Sequence, residues 1–394
     1  MQSKKRIVRS ILPVGQGAFY LETFHMENGD TKRVIYDCGA AKKSLIEKTI
    51  RDLFDENTVI DKVFISHFHA ECLNGLEYLM RRCAVKELYL PYVRKENQFY
   101  TLMENGARNY GTYISYIYNL MNNPVETVQR FNEKRNMNTD VYIVNEVSYD
   151  GEQQENHINS GTVISIDEDT KEWVYIPYNY NQCENGVEDN IRIKKFIERY
   201  VDDIDYLTPE KVNKVFNDQG FSTNLKRIYS DYELQIDINS MTVYSGPVSY
   251  KDYIVRIPRL YHINKYCEHN NYRCGLDGRS FWSYRAGALY LGILNADDNK
   301  FLDLMRELRE KTNMKPCESI GILQIPNYGS KNNYSNAIME LCGRECWYFA
   351  NAAEDSKYRY PNHKVLLDFI VNGVDVSIVT ESMEDALHFI IEKY

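Results

Sequence analysis

Residues 6–14 and 19–24 place apolar side chains at roughly alternate positions, the period of a strand with one face on a core. Gly15-Gln16-Gly17-Ala18 separates them as a turn, and no helix follows to make it a phosphate loop. Asn28-Gly29-Asp30 is a hairpin signal leading to a return strand over 33–36, which ends at Asp37-Cys38-Gly39. Ser44 and Glu47 have capping-box spacing, which predicts a helix to about residue 54. The apolar run 63–65 reads as a buried strand, 73–83 as a helix, and 86–90 as a strand stopped by Pro91. That β-α-β order implies strands of one sheet joined by crossovers.

Residues 92–140 change character. They are rich in Tyr, Asn and Arg, with helical spacing over 101–121, and read as an inserted helical segment. Tyr110, Tyr113, Tyr116 and Tyr118 suit packing at helical spacing better than a platform for stacking bases. The stretches 141–147, 162–166 and 172–176 predict antiparallel strands with polar turns, and His157 lies in a polar loop between them. The pattern is helical over 181–230 and strand-like over 233–246. A polar connection, 250–284, holds His262, Cys267, His269 and Cys274, donors suited to a structural zinc but at a spacing that matches no zinc motif. Strands are predicted at 286–294, 319–325 and 374–379, and helices at 300–311 and from Ser382 to the last residue.

Candidate chemistry is concentrated after the 63–65 strand. Ser66 ends it, His67 and His69 follow at alternate positions, then Glu71 and Cys72. On an extended turn, residues two apart point the same way, and imidazole is the commonest metal ligand at neutral pH. Ser66-His67-Phe68-His69-Ala70-Glu71-Cys72-Leu73-Asn74-Gly75 resembles the S-H-x-H-x-D-H-x-x-G motif of the metallo-β-lactamase superfamily. In that family the first two His bind one zinc, and the Asp and third His bind a second. Here Glu71 replaces the Asp and Cys72 the third His. Val14-Gly15-Gln16-Gly17-Ala18 and Ile35-Tyr36-Asp37-Cys38-Gly39 resemble the opening of the same fold, with Asp37 read as a turn acid rather than a catalytic one.

The later motifs resemble one branch, the hydrolase domain of bacterial competence (DNA-uptake) channels and its free-standing relatives. Pro326-Asn327-Tyr328-Gly329-Ser330-Lys331 matches that branch's P-H-H-G-S-K turn, with Asn327 and Tyr328 in the His positions. The 286–294 strand should end in Gly-Asp, the Asp bridging both metals; aligned on Gly292, this chain has Ile293. Asp297 and Asp298 follow shortly after, and Asp298 reads more naturally as a helix cap. Trp347 onwards and Tyr360-Pro361-Asn362-His363 resemble the closing segment, with Tyr360 where a His precedes the Pro.

The chain has 394 residues, 56 acids against 47 bases (net −9), nine Cys and no long basic run. Nothing advertises nucleic-acid binding, which ranks below a protein partner. No apolar stretch reaches the ~18 residues of a membrane helix. The cysteines form no disulfide framework and no signal-peptide core is present, so the cytoplasm is expected. The resemblance implies a single domain over 1–394: a four-layer αββα sandwich of two mixed sheets, with insertions about 92–140, 181–230 and 247–285. The candidate metal ligands are His67, His69, Glu71, Cys72 and Asp297, with zero or one zinc favoured over two. The resemblance implies a non-catalytic or weakened accessory or regulatory subunit of a bacterial multi-protein system, such as one of anti-phage defence. Its rival is an active metal-dependent phosphodiesterase with a rearranged single-metal site.

Overall fold

A computed structural model describes residues 6–393 except 109–110, 134–136, 153, 167–171, 183–192, 201–207, 232–238, 249–252, 257–281, 313–314, 355–359 and 375. The cluster His262, Cys267, His269 and Cys274 lies outside the described residues, as do Tyr110 and parts of the predicted 190–201 helix and 233–246 strand.

The strands are β1 (Arg6–Ile11), β2 (Gly17–His25), β3 (Thr31–Ala40), β4 (Val59–Phe64), β5 (Ala84–Pro91), β6 (Asp140–Val144), β7 (His157–Ile158), β8 (Ile164–Ser165) and β9 (Trp173–Asn181). There follow β10 (Asn239–Pro247), β11 (Tyr253–Arg256), β12 (Trp282–Ser283), β13 (Gly287–Tyr290), β14 (Ile320–Gln324), β15 (Trp347–Asn351), β16 (Val376–Val379) and β17 (Leu387–Lys393). They form two mixed sheets, ordered β12-β11-β17-β1-β2-β3-β4-β5-β6-β7 and β16-β15-β14-β13-β10-β9-β8. Helices used below are α1 (Lys43–Leu53), α2 (Ala70–Leu73), α3 (Leu76–Arg82), α4 (Lys95–Ala107), α5 (Ile114–Asn122), α6 (Pro124–Asn132), α7 (Pro209–Phe216), α8 (Gln219–Asp231) and α9 (Asp298–Thr312).

The layers follow from alternation along the strands. Ile7, Tyr20 and Phe64 of the first sheet meet Trp173, Val243, Ile322 and Phe349 of the second in a core between the sheets. The opposite face of the first sheet, with Ile35, Val63 and Leu88, is covered by Ile50 of α1, Leu79 of α3 and Leu102 of α4. The outer face of the second, with Leu289 and Leu323, is covered by Phe301 and Leu304 of α9 and by Phe369. Helix, sheet, sheet, helix is the four-layer αββα sandwich expected from the sequence.

The predicted elements are altered in four places. The last residues form β17, not a helix: Leu387, Phe389 and Ile391 are buried at alternate positions, and the strand pairs antiparallel with both β1 and β11. Ser382 precedes only a single turn, Met383–Asp385. Long-range pairing overrides a local helix signal there. The predicted antiparallel run over 141–176 is divided between the sheets: β6 joins β5 in parallel in the first, and β8 pairs antiparallel with β9 in the second. The predicted 101–121 helix is broken into α4, the turn Gly111–Tyr113 and α5. The Ser44 capping box does not form; α1 starts at Lys43, and no side chain caps it. Tyr113, Tyr116 and Tyr118 pack, partly buried, against the helix-side core.

Candidate metal and ion-pair site

β4 delivers the chain to the turn Ser66–His69 at the carboxyl end of the first sheet, the usual place for ligands in such sheets. The turn is clamped from several sides. The backbone N–H of Ser66 donates to Asp37 Oδ1 at 2.7 Å, and Ser66 Oγ pairs with Asp37 Oδ2 at 2.7 Å. The N–H of Met241 on β10 donates to the Ser66 carbonyl at 2.7 Å, tying the turn to the second sheet. Asn105 of α4 straddles His69: its Oδ1 accepts from the Ala70 N–H at 2.9 Å, and its Nδ2 donates to the Phe68 carbonyl at 2.9 Å. Gly39 lets α2 lie on β3, since a Cβ there would stand 2.3 Å from the Glu71 carbonyl oxygen. Hence the Asp-Cys-Gly ending of β3 and the His motif belong to one unit.

His67 faces Asp37 and Cys72. A donor atom from each of Asp37, His67 and Cys72 lies within 4.8 Å of the other two, and all three residues are buried. His67 Nδ1 sits 2.6 Å from Ser66 Oγ. With Asp37 ionised, the one hydroxyl proton of Ser66 goes to Asp37. The imidazole must then donate through Nδ1–H, leaving its lone pair on Nε2. Nε2 is buried and has no hydrogen-bond partner among the described residues. Burial first, then His69 and Arg108, holds the imidazole well below its ordinary pKa, so it stays neutral. Burial pushes the Asp37 carboxyl up to about 7 against the hydrogen bonds of Ser66, and raises the Cys72 thiol well above its usual value, with Asp37 and Glu71 adding to the effect.

His69 points elsewhere. Its Nε2 stands 2.9 Å from Glu104 Oε2, and Glu104 comes from α4, inside the insertion. Burial lowers the His69 pKa, but Glu104 more than reverses this and the net shift is upward. Arg108, just past α4, bonds to Glu104 Oε1 through Nη2 (2.7 Å) and Nε (3.0 Å), and reaches Glu71 Oε1 through Nη1 at 3.1 Å. The two histidines of the motif, ring centroids 4.6 Å apart and nearly perpendicular, thus serve two different clusters.

The five residues expected as ligands fall in three places. His67 and Cys72 come together, joined by Asp37 instead of His69. Glu71 is engaged by Arg108, its longer side chain reaching the guanidinium. Asp297 is exposed, and its Oδ1 accepts from the Lys300 N–H at 3.0 Å; it is the cap of α9, a role assigned from sequence to Asp298. The strand end that carries Ile293, and Asn327 bonded to it, lie against the His turn. Gly292 packs on Ser66, where a Cβ would come within 3.0 Å of the Ser66 Cβ. The Asn327 N–H donates to the Gly292 carbonyl at 2.8 Å, and Asn327 Nδ2 to Asn333 Oδ1 at 2.9 Å, while Asn333 Nδ2 holds the Ile293 carbonyl at 2.9 Å. Amide bonding has taken over a corner that the family resemblance assigns to ligands. Tyr328 turns its hydroxyl to Cys72 Sγ at 3.4 Å, with Tyr360 packed beside it. His363 is exposed at a helix start.

Asp37 was visible in sequence but read as a turn acid; its positive φ of 56° suits that reading, and only the fold shows what the carboxylate faces. Glu104 and Arg108 gave no signal. A Glu-Arg pair four residues apart on a polar helix is indistinguishable from an ordinary surface pair.

No protein-family model matches the chain, and no curated protein does. Among solved structures, a crystal structure of a long form RNase Z from yeast aligns over 88% of this chain at 11% identity and a TM-score of 0.31; the aligned part is 36% of that protein. So distant a likeness says nothing about activity. Among the described residues, no helix is long and apolar enough to cross a membrane.

Proposed function

We propose that this protein acts by binding, as a non-catalytic or strongly weakened member of its fold, serving as an accessory subunit to a protein partner. The observation that carries this reading is the diversion of His69 and Glu71 into ion pairs with Glu104 and Arg108. A two-zinc centre does not fit: Ile293 has no donor atom, Asn327 is bonded to Asn333, and His69 and Glu71 are engaged by Glu104 and Arg108. One ion does fit Asp37, His67 and Cys72, whose oxygen, nitrogen and sulfur donors are all zinc ligands and include the unpartnered Nε2 of His67. Zinc held there would pin β3, the turn and α2 together, with the Cys72 thiol giving up its proton.

Burial argues for a structural rather than a catalytic ion. Asp37, His67 and Cys72 are 1%, 3% and 2% exposed, and Tyr328 caps the thiol side. A catalytic zinc needs an open coordination position reachable by substrate. Metal analysis of the purified protein, with a chromogenic phosphodiester as substrate, is the test. At most one zinc per chain and no turnover is expected. Two zincs, with turnover abolished by His67→Ala, would refute the proposal.

A second reading, an active phosphodiesterase with one metal, draws on the three-donor cluster. It requires one metal and turnover lost in both His67→Ala and Asp37→Ala.

A further inference from the structure

Helix α10 (His363–Val371) turns Val365 and Phe369 inward onto the second sheet and leaves Leu367, Ile370 and Val371 42%, 47% and 80% exposed. These three are spaced i, i+3 and i+4, so they form one stripe. No other helix among the described residues exposes two large apolar side chains. Single exposed apolar residues are ordinary, whereas a contiguous group of them marks an interaction surface. α10 leads through Gly373 into β16, the outermost strand of the second sheet. The charges around the stripe indicate what covers it. A helix favours acids in its first turn and bases in its last. α10 has no acid in the first and no base in the last, and the exposed His363 and Lys364 open it. A cation there opposes its own helix dipole but suits the C-terminus of a second, antiparallel helix. The same exchange of ends matches another set of charges. Exposed Arg344 precedes β15, its guanidinium 4.0 Å from where a Cβ of Gly373 would stand, at the start of β16. Glu381, Glu384 and Asp385 follow the end of β16. β15 and β16 are parallel, so the arginine and the acids lie at opposite ends of the sheet edge.

We infer that this face is an interface with a second copy of the chain, two α10 helices packing antiparallel through Leu367, Ile370 and Val371. A two-fold axis through the middle of the stripe makes one patch meet itself. It carries each Lys364 to the partner's α10 C-terminus and each Arg344 to the end where the partner holds its acids. Opposite charges then meet at both ends, which fixes the orientation. A parallel pairing would set like against like. The interface does not involve the His turn, so it can fail while the reading above stands, and the reverse.

Sedimentation velocity of the purified full chain, from about 1 to about 100 μM, reads the association directly. Wild type should pass from monomer to dimer over that range. Ile370→Asp should weaken dimerisation about 100-fold, because the substitution enters twice at a two-fold contact. It should melt at the wild-type temperature, since the side chain is exposed. Lys364→Glu should weaken dimerisation about tenfold, although an acid there suits its own helix. Leu302→Asp, at a 42% exposed position on α9, should dimerise as wild type does. If Ile370→Asp melts lower, Leu367→Asp on the same stripe takes its place. A wild type that stays monomeric at every concentration overturns the interface. So does a folded stripe variant, or Lys364→Glu, that dimerises as tightly as wild type, or a loss in Leu302→Asp equal to that in Ile370→Asp.

Discussion

Two buried charge clusters in this protein obey different rules. Between the sheets, Arg9 is fully buried and bonds through Nε to Glu22 Oε1 at 2.7 Å. Glu22 Oε1 also accepts from Tyr290 at 2.8 Å, and Oε2 accepts from Tyr175 and Ser245, both at 2.6 Å. Arg9 donates onward to the Ala286 and Ser245 carbonyls and lies over Trp173. Every oxygen of Glu22 is satisfied. At the His turn, by contrast, His67 Nε2, Glu71 Oε2 and Glu104 Oε2 are left over. Leaving buried polar atoms unbonded costs about 1–3 kcal/mol each. A cluster that has to hold the sheets together closes its bonds, as the first does. The second leaves donors unbonded among the described residues.

The largest effect should come from breaking the closed cluster. Arg9→Met strands an uncompensated Glu22 between the sheets and should cost ~3–5 kcal/mol in urea denaturation. A loss below about 1 kcal/mol would mean that satisfied bonding is not what distinguishes the two clusters.

Next in size is a difference in pH response. Burial works to raise the Glu22 pKa, but Arg9, Ser245 and Tyr175 bring it below the ordinary value. Its contribution is present above the unfolded pKa and is lost as pH falls through the folded one. Asp37 is held by neutral groups and shifted the opposite way, from 3.8 to about 7. Between those values the folded state keeps a proton that the unfolded state releases, so stability falls as pH rises. Metal-free protein should therefore lose urea stability from about pH 4 to about pH 7 and level off above. Asp37→Asn should flatten that limb. An unchanged slope in the variant would remove Asp37 as its source.

The smallest effect should be at Asp297. As a helix cap, its replacement by Ala should cost ~1 kcal/mol and leave metal content unchanged. Loss of bound zinc in Asp297→Ala would instead restore it to the ligand set.

Legibility in the sequence followed the range of the interactions. The β-α-β start, the His turn and the Pro326–Ser330 turn were readable because their cues are local: alternation, glycines at close approaches, polar residues ending strands. The terminal strand was misread because Ser382 is a local helix signal, while the pairing of β17 with β1 joins the two ends of the chain. The ion cluster was hidden because Glu104 and Arg108 sit in an insertion with no motif of its own.

The order of apolar and polar residues determined, by itself, most of the strands and helices and the place where donors would gather; the two-sheet arrangement was what the family resemblance implied. Tertiary structure alone decided how the remaining donors are shared: His67 with Asp37 and Cys72, His69 with Glu104, Glu71 with Arg108. The reason is physical. A ligand's role depends on which charge comes within about 3 Å of it in a buried place, and the charged partners Glu104 and Arg108 are distant in the chain, Arg108 37 residues from Glu71.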